Sequence, residues 1–268
     1  MARGISYESE DDEEPDISHL LCDSSESESD AEEQTKEDAQ AKAPQEALSS
    51  EEVALLRACF KLRRSESHEL ESRAIHLGEK THAKTLFLDL DETLIHADKL
   101  SENDELPQRK DGSVEGQVMR VGEEAFYIRK RPLLEKFLET ASGKFELVVF
   151  TAGVKEYAER VVEFIDPDRK YLKKILSREH CIQRDGLCIK DLSIVKDRKL
   201  KDMVIVDNSL VSFSFNLANG VPILNFFEDA HDTELCGVLN VLERVVTAED
   251  TREMLNEMFA LQSVALGC

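Results

Sequence analysis

The sequence lacks the features that would send it to a membrane or to an oxidising compartment. Its 268 residues include no Trp, and its apolar stretches, such as residues 147–150, fall far below the ~20 residues that a membrane span needs. No apolar signal segment opens the chain, and its six scattered cysteines are expected to be reduced thiols. We therefore expect a chain without a membrane span, in the nucleus or the cytoplasm, with the nucleus favoured.

Dense basic runs are also scarce, which bears on the partners of the protein. The net charge is −22, and residues 1–50 contribute −13 of it, with sixteen acidic groups against three basic ones. The longest basic runs, at residues 63–64 and 129–131, are short. Because a negative surface repels phosphate backbones, we expect no direct binding of nucleic acid.

Composition divides the chain into four segments. Residues 1–48 are acidic and poor in aliphatic side chains, which predicts a disordered tail. Residues 49–81 are expected to hold a helix at about 50–64 and a polar linker, with the partner of the helix left open. A folded domain is expected over 82–246, and a C-terminal helix over 247–268.

The pattern of the folded domain is typical of a doubly wound α/β sheet. Apolar runs begin at Thr85, at Phe145 and at Met203, as expected of parallel strands buried between helices. Helical spacing and end residues predict helices over about 132–143 and 154–165. Between the first two strands, a small insertion is expected to form a hairpin, with strands at 117–121 and 125–129.

Polar side chains follow each of the three predicted strands. Asp89 and Asp91 come where the first strand ends, Thr151 follows the second, and Asp207 and Asn208 follow the third. In such sheets, ligands bind at the carboxyl ends of the strands. Two neighbouring carboxylates need a positive charge between them, and Mg²⁺ prefers oxygen ligands.

These residue types suit phosphoryl transfer. Asp89 can attack phosphorus, and Asp91 can protonate the leaving oxygen and later deprotonate water. Lys190 supplies a fixed ammonium, and Thr151 supplies a hydroxyl donor. The sequence has no GxxxxGK phosphate loop, so a nucleotide-hydrolysing P-loop protein is excluded.

Four motifs in order resemble those of a known family. They are DLDET at 89–93, FTA at 150–152, IKDLS at 189–193 and VDNS at 206–209. They resemble the motifs of the haloacid-dehalogenase superfamily and, more narrowly, those of the small phosphatases that act on the carboxy-terminal domain of RNA polymerase II. The likeness runs from about residue 84 to residue 243.

The resemblance implies a magnesium-dependent protein serine/threonine phosphatase with an aspartyl-phosphate intermediate. Asp89 would be the nucleophile and Asp91 the acid and base, while Thr151, Lys190 and Arg178 would contact the substrate phosphate. The partner would be a phosphorylated protein segment, on the polymerase tail or on another phosphoprotein.

The same resemblance implies how Mg²⁺ would be held. The metal site would comprise Asp89, the backbone carbonyl of Asp91, and Asn208. Asp207 would complete it by orienting the water shell and Lys190.

Motif spacing favours a protein substrate over a small molecule. Asp89 and Thr151 are 62 positions apart, and Thr151 and Lys190 are 39 apart. Neither interval is long enough for the large cap domain that closes many small-substrate sites of this superfamily. A small-molecule phosphatase and a noncatalytic adaptor with the same fold remain as alternatives, and the oligomeric state stays open.

Some positions depart from the family pattern. Gly153 and Cys188 stand where relatives often carry Ser and Tyr, and Phe226-Phe227 replaces a Trp-Phe pair. The polymerase-tail specificity is therefore open. An apolar pocket for a proline beside the phosphoserine could be lined only in part, by Val118, Val121, Phe126 and Ile128.

Overall fold

A computed structural model of the protein describes residues 50–62, 64–101 and 116–267. The tail predicted over 1–48 lies outside these residues. In the part of the chain that is described, no helix has both the length and the apolar character needed to cross a bilayer.

The described residues form ten strands and seven helices, joined by turns and short 3₁₀ helices. The strands are β1 Thr85–Leu88, β2 Ile95–Leu100, β3 Gly116–Val121, β4 Glu124–Lys130, β5 Glu146–Phe150, β6 Lys174–Leu176, β7 Ile182–Arg184, β8 Leu187–Ile189, β9 Met203–Asp207 and β10 Gly220–Pro222. The helices are α1 Ser50–Phe60, α2 Ser67–Ser72, α3 Leu134–Ser142, α4 Lys155–Ile165, α5 Glu234–Thr247, α6 Thr251–Phe259 and α7 Leu261–Leu266.

The centre of the fold is a five-stranded sheet in the order β10-β9-β1-β5-β6. All of its pairings are parallel, and β1 lies in the middle, with Thr85 aligned to Glu146 of β5 and to Met203 of β9. The predicted α/β class with a central parallel sheet is thus confirmed. Since parallel neighbours run in the same direction, the ends of β1, β5 and β9 meet at one edge.

Both faces of this sheet are covered, which explains why its strands are apolar throughout. Successive side chains of a strand point to opposite faces. Leu86 and Leu88 pack into a core with α3, α4 and α5. Phe87 packs on the other side, in a second core with Leu56 of α1 and Val264 of α7.

A second, antiparallel sheet lies between β1 and α3 in the sequence. The predicted hairpin is present as β3 and β4, and β2 joins it in the order β2-β4-β3. Strand β2 was not predicted, because it carries His96, Asp98 and Lys99 and its sequence is typical of a polar loop. Its charged residues find partners across the sheet, as Arg129 of β4 donates a hydrogen bond to Asp98.

The N-terminal helix packs on the domain, which answers the question that the sequence left open. It ends at Phe60 and not at residue 64, and Leu56 and Cys59 on it are fully buried. Arg57 Nε donates a hydrogen bond to the carbonyl of Val264 in α7. Farther along, Ser65 Oγ donates to Asp191 Oδ2 at 2.6 Å.

The C-terminal segment differs from its prediction. In place of one helix over 247–268, the structure has α6 and α7, and residue 247 is the last residue of α5. The break falls at Ala260, whose φ of +48° lies in the left-handed region and ends α6. Both short helices bury apolar side chains against the domain, Leu255 on α6 and Leu261 and Val264 on α7, so the segment is helical as predicted but is divided in two.

We predict that replacing Leu56 by Ala lowers the free energy of unfolding by about 2–5 kcal/mol, because it opens a cavity in a closed core. Urea unfolding followed by circular dichroism measures this change. Ala58→Ser, on the exposed side of the same helix, is the control and should change stability by about 0.5 kcal/mol at most. Equal effects of the two substitutions would show that α1 does not contribute to the core.

Candidate active site

Lys190 joins two aspartates at the carboxyl edge of the central sheet. Its Nζ lies 2.5 Å from Asp89 Oδ1 and 2.6 Å from Asp207 Oδ2. The lysine is only 1% exposed, and both aspartates are buried as well. A buried charge is costly without a partner, so this three-residue group is stable only as a unit.

Different parts of the fold position these three residues. Asp89 directly follows β1, and its amide extends the strand pairing by donating to Val206 of β9. Asp207 is the last residue of β9. Lys190 follows the β7-β8 hairpin, and its amide donates to the carbonyl of Ser212 at 2.6 Å. The predicted meeting of motifs at one sheet edge is therefore what the structure shows.

The charges of the group balance in favour of a protonated lysine. Burial lowers the pKa of Lys190, but Asp207 and Asp89 more than offset this, and its pKa lies above the ordinary value. Burial raises the pKa of Asp207, while Lys190 opposes that change. Lys190 thus stays cationic near neutral pH, and its ammonium lies between the side-chain oxygens of Asp89 and Asp207.

Asp91 lies near this group in a different environment. Burial, followed by the negative charge of Asp89, raises the pKa of Asp91 to about 6. The hydroxyl of Tyr157 on α4 donates a hydrogen bond to Asp91 Oδ1 and partly opposes this rise. A carboxyl group with such a pKa can carry a proton or release it near neutral pH, as an acid and base must.

Thr93 connects Asp89 to Asn208. Its hydroxyl lies 3.1 Å from Asp89 Oδ2 and 3.2 Å from Asn208 Oδ1, and it accepts a hydrogen bond from the Asn208 amide. Asn208 Nδ2 donates to Asn225 Oδ1 at 2.9 Å, which turns the side-chain oxygen of Asn208 towards Thr93. The oxygens of Asp89 and Asn208 are therefore held close together.

This pair of oxygens fits a hard cation. A hydroxyl has one proton, so Thr93 can donate to only one of the two oxygens at a time. Within the described ranges, no group of three or more His, Cys, Asp or Glu side chains comes together to hold a metal. A Mg²⁺ ion at this place would therefore need the amide oxygen of Asn208 and a backbone carbonyl besides the carboxylate, and it commonly keeps several waters.

Thr151 lies in the loop after β5, and Arg178, in the short 3₁₀ helix after β6, contacts that loop. Thr151 is fully buried, and its hydroxyl accepts a hydrogen bond from the amide of Gly153 at 2.9 Å, which leaves its proton free to be donated. Arg178 is exposed, and its Nε donates to the carbonyl of Ala152 at 2.6 Å. The described contacts of Arg178 are thus with the Thr151 loop and not with the aspartates.

Gly153 allows Tyr157 to come close to this loop. A Cβ atom at Gly153 would lie 2.9 Å from the ring of Tyr157, closer than real Cβ contacts allow. The absence of a side chain at Gly153 therefore leaves room for the ring of Tyr157, whose hydroxyl reaches Asp91.

Arg131 holds the backbone of the turn that contains Asp89 and Asp91. It is 1% exposed, and it donates to the carbonyls of Thr93 and Leu224 at 3.0 and 2.9 Å. It also makes a two-pronged ion pair with Asp232, at 2.8 and 2.7 Å. The turn at residues 89–94 is thereby fixed to the segment that follows β10.

Three residues of this site were not singled out from the sequence. Thr93 stands inside the DLDET motif, and Tyr157 falls on the apolar face of α4, where it reads as a core residue. Arg131 reads as part of a basic surface run. Periodicity predicted the burial of Tyr157, but nothing in it indicates the hydroxyl partner.

The hairpin residues that could line an apolar pocket only in part are divided between two faces by the register of the sheet. Met119 aligns with Phe126, whereas Val118 aligns with Tyr127, so Val118 lies on the opposite face from Phe126. Ile128 shares the face of Phe126 but is fully buried in the core. Val118 and Ile128 are therefore not joint walls of one open pocket.

We predict that Tyr157→Phe raises the pKa of Asp91 further above about 6, because the lost hydrogen bond favours the ionised carboxylate. A ¹³C NMR titration of the aspartate carboxyl carbons in metal-free protein measures it. Tyr171→Phe, which removes a hydroxyl paired with Lys170, is the control and should leave Asp91 unchanged. An unchanged or lower pKa in Tyr157→Phe would contradict the assigned hydrogen bond.

The chain is similar in sequence to several proteins that are named as phosphatases. CTD small phosphatase-like protein 2 of Dictyostelium discoideum is 38% identical over 194 residues, which cover 70% of this chain and 32% of that protein. CTD small phosphatase-like protein 3 of Caenorhabditis elegans is 36% identical over 200 residues, 73% of this chain and 67% of that protein. CTD nuclear envelope phosphatase 1B of Danio rerio is 37% identical over 179 residues, 65% of this chain and 71% of that protein.

This chain thus spans about a third of the length of the first of these relatives and about two thirds of the other two. The family described as NLI interacting factor-like phosphatase matches residues 84–252, which include every predicted site residue. The resemblance read from the four motifs is confirmed, and the chain belongs to the family of NLI interacting factor-like phosphatases.

Proposed function

We propose that this protein is a magnesium-dependent phosphatase that removes phosphate from phosphoserine or phosphothreonine in protein segments, through an aspartyl-phosphate on Asp89. The observation that carries the proposal is the lysine that bridges Asp89 and Asp207 beside a carboxyl group with a pKa of about 6. A nucleophile, a fixed cation and a proton carrier are the groups that phosphate-ester cleavage needs.

In the first step, a carboxylate oxygen of Asp89 attacks phosphorus, and the bond from phosphorus to the serine or threonine oxygen breaks. Asp91 in its protonated form donates its proton to the leaving oxygen, which departs as an alcohol. The phosphoryl group is then bound to Asp89 as an acyl phosphate.

In the second step, Asp91 is ionised and accepts a proton from a water molecule as that water attacks phosphorus. The bond between phosphorus and the Asp89 oxygen breaks, which releases inorganic phosphate and restores the carboxylate. Asp91 ends the cycle protonated, ready for the next substrate. A pKa of about 6 suits both of its tasks near neutral pH.

Fixed donors hold the phosphate oxygens during both steps. The Lys190 ammonium is already placed beside Asp89, so it need not be reorganised when negative charge develops. The free hydroxyl proton of Thr151 is available to one phosphate oxygen. Arg178, in contact with the Thr151 loop, is exposed where a substrate chain can meet it.

Asp89, the carbonyl of Asp91, and Asn208 are the groups that would hold Mg²⁺. When bound, the ion supplies positive charge to the phosphate oxygens and reduces their repulsion by Asp89. Both oxygens of Asp207 have partners, Lys190 and the amide of Ser209. We therefore assign Asp207 to holding Lys190 and the water shell, without a direct bond to the metal.

The surroundings of the site favour a protein substrate. In the described residues, the intervals between motifs hold the small antiparallel sheet, α3, α4 and the short β7-β8 hairpin, and no separate cap domain. A site without a cap domain can be reached by a polypeptide segment, whereas small metabolites are commonly enclosed by a cap. The carboxy-terminal domain of RNA polymerase II is the first candidate, since relatives are named CTD small phosphatase-like proteins.

A nuclear location is proposed on a similar basis, since one relative is named a CTD nuclear envelope phosphatase. A noncatalytic adaptor would have no need to retain both aspartates and their lysine. Asp89, Asp91 and Lys190 are all present, and their contacts support an enzyme over an adaptor.

We predict that Asp89→Asn lowers the rate of p-nitrophenyl phosphate hydrolysis at least about a thousandfold, because the amide is no longer a nucleophile. Release of p-nitrophenolate measures the rate, and a chelator should abolish it until Mg²⁺ is restored. Asp185→Asn, in the exposed turn between β7 and β8, is the matched control and should keep full activity. Equal activity of Asp89→Asn and the native protein would exclude the proposed nucleophile.

We also predict that Asp91→Asn separates two substrates. Hydrolysis of a phosphoserine peptide should fall about 10²- to 10⁴-fold, because the serine oxygen needs a proton to leave. p-Nitrophenolate leaves without that proton, so this substrate should still give a rapid burst of product equal to the amount of enzyme. Slow turnover after the burst would follow, since water then lacks its base.

Quenched-flow measurement detects the burst, and mass spectrometry detects an added phosphoryl group on the protein. A variant that loses the burst as fully as the steady-state rate would assign Asp91 to the attack on phosphorus and contradict its role as acid and base.

A further inference from the structure

A cavity of about 600 Å³ opens between β10 and α5. It is lined by residues 224–229 and 231–234, and we name it the 224–234 groove. None of the catalytic steps described above uses it.

The walls of the 224–234 groove combine apolar and acidic side chains. Leu224 is 66% exposed and Phe227 is 53% exposed, which is unusual for large apolar side chains, and both line the cavity. Glu228 and Asp229 are exposed next to them, and Glu234 is half-buried. Arg131 neutralises Asp232, so the remaining carboxylates give the groove a negative potential.

The 224–234 groove begins next to the proposed catalytic centre. Asn225 in its wall accepts a hydrogen bond from Asn208, which Thr93 connects to Asp89. On the same side, the amide of Phe226 donates to the carbonyl of Glu92 in the turn at residues 89–94, at 2.8 Å. The path from Asp89 to Asn225 thus runs through three hydrogen bonds and the side-chain amide of Asn208, and it is roughly 11 Å long.

That path corresponds to a short stretch of substrate. An extended chain advances about 3.3–3.6 Å per residue, so a residue about three positions from the phosphoserine reaches the edge of the groove, and residues up to about five positions away lie along it. Side chains with an apolar stem and a positive end match both wall types at once: the stem lies on Leu224 or Phe227 and the charge meets Glu228 or Asp229.

We propose that the 224–234 groove binds the part of the substrate polypeptide that flanks the phosphorylated residue, and that it selects Lys or Arg together with an apolar residue about three to five positions away. This inference rests on the phosphatase activity proposed above and adds a substrate class to it. Exposed ion pairs are individually weak, so the combined contacts account for a preference of about tenfold.

The test compares three phosphoserine peptides with the full chain. One has Lys-Leu-Lys at three to five positions after the phosphoserine, one has it at the same distance before, and the third has Gln-Ser-Gln at both places. We expect kcat/KM to be about tenfold higher for one of the Lys-Leu-Lys peptides than for the third. Equal values for all three would overturn the inference.

Variants separate the groove from the overall negative charge of the protein. In Glu228→Gln with Asp229→Asn, the preference should fall below about threefold, because the amides keep the shape and lose the charge. Glu253→Gln with Glu257→Gln, on the exposed side of α6, removes the same charge elsewhere and should keep the full preference. If the preference falls equally in the two double variants, it is due to net charge, and the proposed role of the groove is overturned.

Two further readings distinguish failure of the groove from failure of the proposed activity. p-Nitrophenyl phosphate is too small to reach the groove, so its hydrolysis reports on the catalytic centre alone. If the native protein leaves it intact, the proposed activity fails, and fluorescence anisotropy with the same labelled peptides and Asp89→Asn still measures groove binding. A tighter complex with a Lys-Leu-Lys peptide, weakened by the Glu228/Asp229 double variant, supports the groove; equal affinities overturn it.

Discussion

The bridge from Lys190 to Asp89 and Asp207 is the interaction on which the site depends. Three charges lie together in a place almost closed to water, and each is acceptable there only because of the others. Removing one partner would leave an uncompensated buried charge at the end of two central strands. The side chains of Lys190, Asp89 and Asp207 therefore determine both the charge of the site and the stability of this edge of the sheet.

The parallel sheet makes this convergence possible. Three strands of the same direction end side by side, so residues far apart in the sequence arrive at one edge without long loops. The hairpin that carries Lys190 then closes the group from outside the sheet. Asp91 lies just beyond, where burial and Asp89 keep its proton available near neutral pH. The raised pKa of Asp91 is thus a product of its surroundings, of which the negative charge of Asp89 is one part.

Sequence reasoning succeeds where burial dictates the residue type. The strands that begin near Thr85, Glu146 and Met203 are enclosed on both faces, so their apolar runs are unmistakable, and their ends identify Asp89 and Asp207. It fails where partners decide the outcome: β2 carries charges that are satisfied only by the neighbouring strand, and Val118 changes face with a register that no local pattern sets. The backbone of Ala260 is left-handed and divides the C-terminal segment, but the sequence does not indicate this, because the residue is not a glycine. The hydroxyl contact of Tyr157 depends on the folded position of Asp91.

Arg131 links the turn at residues 89–94 to the wall of the 224–234 groove. One guanidinium is bonded to this turn at Thr93 and to the groove wall at Leu224 and Asp232, so these parts form one rigid frame. A lysine could not replace it, since a point charge lacks the planar fork that spans them. Because the frame is rigid, the distance from Asp89 to the 224–234 groove is constant, so the proposed substrate contacts require a fixed separation between the phosphorylated residue and its flanking residues.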